Sequence, residues 1–159
     1  MQKRTMAAMS LVVLMAFSIW AQRGAEKAKP ATAIIFNAAD AAAMIAKSPA
    51  DRNVGGQAMI QLAPYNINME HRVMGQAAAV HDKEAELFYV IEGAGTIVTG
   101  GKLVDEKRTN DANLSGTSIQ GGVSKRISKG DWIMVPEGVP HQIPQVEGAL
   151  TVMSLHLPR

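Results

Sequence analysis

The sequence predicts an all-β domain of the jelly-roll type, a small barrel or sandwich with one short helix ahead of it. Three observations predict this. Short runs of β-branched and aromatic residues follow one another through most of the chain. Apolar residues there recur with period two, which is a strand with one buried side. Gly, Pro and Asn punctuate the runs, while a helical pattern occurs once. There is no internal repeat, and 159 residues suit one domain better than two.

The domain does not begin at the first residue. Residues 1–21 read MQKRTMAAMSLVVLMAFSIWA: two bases, an apolar run from Met6 to Trp20, then a small residue. That is the order of a secretory signal peptide, expected to be cut after Ala21. The run is short of the ~20 apolar residues that span a bilayer, so no stable membrane span is expected after cleavage. The expected location is periplasmic or secreted. Cysteine is absent, so no disulfide braces the fold. Removing Lys3 and Arg4 with the leader changes the charge: 16 bases against 14 acids becomes an even balance. The net charge of +2 therefore belongs to the leader, and nothing points to nucleic acid as a partner.

Residues 22–32 are polar and Ala/Lys-rich and read as a linker, so the domain proper is expected over 33–159. FNAADAAAMIAKSP follows. Asn37 is a fair N-cap, Asp40 sits in the first turn, the alanines favour helix, and Lys47 with Pro49 ends it. In the next stretch Tyr65, Ile67, Met69, His71 and Val73 share one face of a strand; Asn66, Asn68, Glu70 and Arg72 share the other. ELFYVIEGAGTIVTGG, broken by Gly93 and Gly95, reads as a hairpin. DWIMVP and GALTVMSLHLP read as two further strands. Residues 100–122, full of Gly, Asn, Ser and Thr, read as a long loop or an extended excursion. Phe88, Tyr89, Trp132, Met59, Met69, Met134 and Met153 read as wall residues of the barrel, with Phe88 and Val90 on the face of Glu86.

One histidine stands out by its frame. His141 follows Pro140, lies three residues after Gly138 of a Pro136-Glu137-Gly138 turn, and is followed by Pro144. Prolines fix φ and hold a side chain in one approach, which suits a metal or a substrate. The spacing from Gly130 through Pro136, Gly138 and His141 resembles the second signature motif of the cupin superfamily, Gly, five residues, Pro, one, Gly, two, His, three, Asn. Gln145 stands in the final Asn place. Gly75, His81, Glu86 and Gly93 resemble the first motif, Gly, five, His, one, His, three or four, Glu, six, Gly. The resemblance covers about 70 residues. It implies the jelly-roll barrel and a divalent metal inside it, held by His81, Glu86 and His141.

The first motif departs from the family in having a single histidine. Counted from Gly75, Lys83 occupies the second slot; counted back from Glu86, Ala79 occupies the first. Neither alanine nor a protonated lysine can ligate. Lysine beside a cation would repel it by several kcal/mol at about 4 Å, even at an effective dielectric of about 20. The second register is preferred, with Lys83 in a turn. His71 is a candidate substitute whose plainer reading is a hydrogen-bonded rim residue, and His156 reads as structural.

Two histidines and a carboxylate are the facial-triad composition, which leaves open positions on iron(II); the same set holds zinc, manganese or nickel. What the resemblance implies is a metal-binding domain acting on a small organic molecule, in the manner of a dioxygenase or isomerase. The alternative is a periplasmic module that binds or senses a small ligand without turnover. Edge strands of such barrels commonly pair between subunits, so a homodimer is one expected assembly.

Overall fold

The computed structural model describes residues 30–159, so the leader at 1–21 and most of the linker at 22–32 lie outside the described residues. Helix α1 (Ala38–Ala46) starts where the sequence expects. The Asn37 side chain accepts from the backbone N–H groups of Ala39 and Asp40, and the Asp40 carboxylate accepts from Asn37 N–H, a complete capping box. Lys47 is the C-cap. No helix among the described residues is long and apolar enough to cross a membrane.

Eleven strands follow: β1 (Val54–Leu62), β2 (Tyr65–Arg72), β3 (Ala78–His81), β4 (Glu84–Thr99), β5 (Lys102–Val104), β6 (Lys107–Asn110), β7 (Asn113–Gly116), β8 (Ser118–Gln120), β9 (Val123–Ser128), β10 (Trp132–Val135) and β11 (His141–Pro158). Strand β11 is the axis of the molecule, pairing with β2, β3 and β4. Strand β4 also pairs with β9 and β10, and β7 joins β3 to β6. The sheet curls into a jelly roll but does not close into a barrel. Strands β1, β6, β9 and β10 each have one neighbour. Lys107 and Arg108 on β6, and Lys125 and Arg126 on β9, put charge on free edges, which disfavours further pairing.

Three expectations are corrected or narrowed here. The stretch from Glu84 to Thr99 is one strand and not a hairpin. Gly93 has φ of +82°, and a Cβ there would lie 1.9 Å from the Ala149 carbonyl oxygen. The glycine thus permits a bend, with β11 packed against it, and not a chain reversal. Of the two readings of residues 100–122 the loop is set aside and the extended excursion holds: they form β5, β6, β7 and β8, and β7 finds a partner in β3 that local sequence does not announce. Trp132 and Met134 do not line the interior; they are 63% and 52% exposed, on the outward face of β10, with Trp132 against Tyr89 at a centroid distance of 4.6 Å.

The bend decides where the core and the site lie. Strands β4 and β11 run antiparallel as one long ribbon, with Glu86 opposite His156 near one end and Thr99 opposite His141 at the other. The ribbon folds over on itself, so its two ends face each other. Phe88, Val90, Ile97, Ile127, Val135, Ile143, Leu150 and Val152 fill the fold. Burying each large side chain of this set contributes about 1.5–3 kcal/mol. Strand β2 is buried on both faces. Met69 and His71 lie on one, and on the other Arg72 is buried in an ion pair with Glu70.

Candidate metal centre

The site lies at the mouth between the folded ends of the ribbon, and four side chains meet there. Glu86 is near the start of β4, 4% exposed, with its carboxylate turned inward beside Phe88. His81 ends β3, His141 begins β11, and His156 lies near the end of β11. Nε2 of His141 is 3.0 Å from Glu86 Oε2, and Nε2 of His81 is 3.3 Å from the same oxygen. Nε2 of His156 is 3.4 Å from the other oxygen, Oε1. The His81 and His141 rings lie 5.2 Å apart between centroids, and the Phe88 ring lies 6.1 Å from that of His141.

Local structure explains the aim of each ring. Gly75 opens the first motif by packing on Pro144; a Cβ there would fall 2.2 Å from the Pro144 carbonyl oxygen. Ala79 pairs with His141, so β3 sets a methyl group opposite that histidine. Lys83 is exposed in the β3–β4 turn. Gly138 N–H donates to the His81 carbonyl at 2.8 Å, so the turn of the second motif is bonded to the strand of the first. Nδ1 of His141 is 3.2 Å from the Val139 carbonyl oxygen, and Nδ1 of His81 is 2.8 Å from Asn113 Oδ1. With Nδ1 held outward, both rings aim Nε2 at the centre, where it donates to Glu86 and where, once deprotonated, it would face a cation, the orientation found in histidine metal ligands.

The electrostatics suit a cation. Among the described residues every ion-pair partner of Glu86 is a histidine; no lysine or arginine neutralises it. Burial resists its charge, but the hydrogen bonds from His141 and His81 outweigh this and hold the carboxyl at about 2, well below its ordinary value. Burial likewise resists charge on His81, and its hydrogen bonds to Glu86 and Asn113 overcome it, leaving the imidazole above its ordinary value. A buried carboxylate ringed by imidazole nitrogens is a donor set that a divalent ion of borderline hardness fits.

The structure brings His81, Glu86 and His141 together. It also sets His156, read from sequence as structural, beside them. Ligand atoms of His81, Glu86 and His156 all lie within 4.8 Å of one another. The signal was available, since alternation from Val152 through Ser154 puts His156 on the inward face, but nothing local fixes its register against Glu86. His71 does not replace the lost ligand. It is buried elsewhere, with Nδ1 3.0 Å from Thr151 Oγ1. Asn113 was missed because its strand lies in the stretch read as a loop or an extended excursion. A groove of about 720 Å³, lined by Ile45, Met59, Ile67, Tyr89 and Met153 among others, lies between α1 and the outer sheet face, away from this cluster.

No family model matches the chain, and no curated protein matches it. Solved structures do. One from Ralstonia eutropha JMP134, provisionally named a mannose-6-phosphate isomerase, is 16% identical, with a TM-score of 0.50 over 73% of this chain and 95% of that one. A cupin superfamily protein from Desulfitobacterium hafniense DCB-2 is 14% identical, with a TM-score of 0.48 over 71% and 84%. KdgF from Halomonas sp. is 17% identical, with a TM-score of 0.47 over 65% and 78%. At such identities the likeness is one of fold.

Proposed function

We propose that this chain, a jelly roll of the cupin type, holds one divalent metal ion with His81, Glu86 and His141 and acts there on a small organic molecule. The observation that carries the reading is the buried Glu86 carboxylate, met by imidazole nitrogens at 3.0 and 3.3 Å and, among the described residues, by no permanent cation. Bound there, a divalent ion would supply Lewis acidity beside a substrate oxygen, or redox chemistry if it is iron. The protein's own residues do the rest. Glu86 gives the centre its negative charge. Val139 and Asn113 hold the two rings in the ligating orientation. Phe88 walls the inner side with apolar surface, so a small ligand approaches from the side of His81 and His156, whose side chains are 17% and 31% exposed. Fold alone does not choose a reaction, and the isomerase name of the Ralstonia structure stays with that protein.

Metal analysis after reconstitution with iron(II), manganese, zinc or nickel tests this. About one equivalent is expected in the parent and little in His141→Ala. No metal in either would end the proposal. Metal bound without turnover of any small hydroxy or keto compound is the result expected of a binding module.

A further inference from the structure

We propose that His156 is the third imidazole ligand of this centre, supplied by the last strand in place of the histidine the first motif lacks. The inference rests on the metal reading above and adds a residue to it. Strand β3 has one imidazole to give: Ala79 shares the face of His81 and presents only a methyl group opposite His141. The replacement comes from another direction. His156 is paired with Glu86 across the β4–β11 ladder, which sets the two side chains side by side on one face. Its ring meets His81 edge-on, with centroids 4.7 Å apart and planes at 82°. The carboxylate is divided between its neighbours: His81 and His141 face Oε2, and His156 faces Oε1.

Two further observations set His156 apart from a packing residue. Its Nδ1 is buried and has no hydrogen-bond partner among the described residues, a costly state for an imidazole nitrogen. Glu84 Oε1 lies 3.5 Å from it, beyond a formed hydrogen bond. A small rotation of the ring onto a cation would bring Nδ1–H to Glu84, giving the outer carboxylate that ligating histidines use. The strand end is also tied down. Arg159 N–H reaches the Lys83 carbonyl at 3.4 Å, and the Arg159 guanidinium pairs with Glu137 at 2.6 Å. The last residue thus joins His156 to the turns of both motifs.

The test is metal titration with a spectroscopic count of imidazoles. The parent loaded with zinc or cobalt(II) should show three by X-ray absorption, and His156→Ala two, with affinity lower by at least about tenfold, the loss that even an outer partner produces. His156→Gln serves if the alanine variant folds poorly by circular dichroism. Adding Ala79→His to His156→Ala should restore the third imidazole and much of the affinity, which a packing role would not allow. Should the parent bind while His156→Ala keeps both its affinity and its imidazole count, this assignment falls and the centre stands. A parent that binds no metal removes both.

Discussion

His141 and His156 lie near opposite ends of one strand and reach the same carboxylate by different means. His141 is held locally. Pro140 precedes it, the Pro136–Gly138 turn aims it, and its Nδ1 rests on the carbonyl of Val139, two residues away. His156 has no such frame. It is half-buried, its Nδ1 lacks a partner among the described residues, and its position depends on the register between β11 and β4. The first kind of placement is written within ten residues of sequence. The second is written in the pairing of segments about 70 residues apart, and a slip of one residue would turn His156 to the outer face.

The comparison depends on the bend that brings the two ends together, so the largest effect is expected from breaking it. Gly93→Ala forces a side chain into a positive φ of 82° with its Cβ 1.9 Å from a backbone oxygen. The backbone of β11 must move, and the loss should be about 3 kcal/mol or more in denaturant unfolding. Metal binding should fall with it, because Glu86 and His141 are on opposite sides of the fold. A loss under about 1 kcal/mol would mean the ribbon bends without needing this glycine.

The same contrast explains what could be read beforehand. The helix was legible because Asn37 and Asp40 cap it by contacts three residues apart. The convergence of His81, Glu86 and His141 was legible because two motifs carry their own turns. Strand β4 was misread as a hairpin because Gly93 and Gly95 are as compatible with a bend as with a turn; the choice was made by Ala149, far along the chain. The strands within residues 100–122 were not legible one by one because each has at most four residues, and β7 acquires its role by pairing with β3. The jelly roll was legible, but its open edges were not: composition predicts strands and not whether β9 and β10, each bonded to β4 alone, find second neighbours.

Asn113 sharpens the comparison from the side of His81. A main-chain carbonyl orients His141 and survives any substitution at that position, whereas a side chain from β7 orients His81. Asn113→Ala should therefore lower metal affinity by roughly 10–100-fold, the range for outer partners of ligating histidines. Stability should change little, by about 1 kcal/mol for one hydrogen bond. Titration of the folded variant measures both. Unchanged affinity would show that Asn113 merely fills space beside the ring.

The smallest effect expected is on the metal-free protein, and it has a definite sign. Glu86 is lowered from 4.5 to about 2, so its contribution to stability is complete above its unfolded value and drains away as pH falls toward 2. His81 is raised above 6.5, so its contribution is complete below that unfolded value and is lost as pH rises through the higher folded one. In chelator the melting temperature should thus be best served by this pair between 4.5 and 6.5 and should decline on either side. Metal must displace the proton on His81, so added metal should raise the melting temperature most at neutral and mildly alkaline pH, where the metal-free protein has lost that support. Thermal melts across this range, with chelator and with metal, separate the two curves. A chelated protein whose melting temperature rises steadily through neutrality would mean that the His81–Glu86 contact does not stabilise the metal-free fold. The centre would then depend on the geometry of β3, β4 and β11 alone.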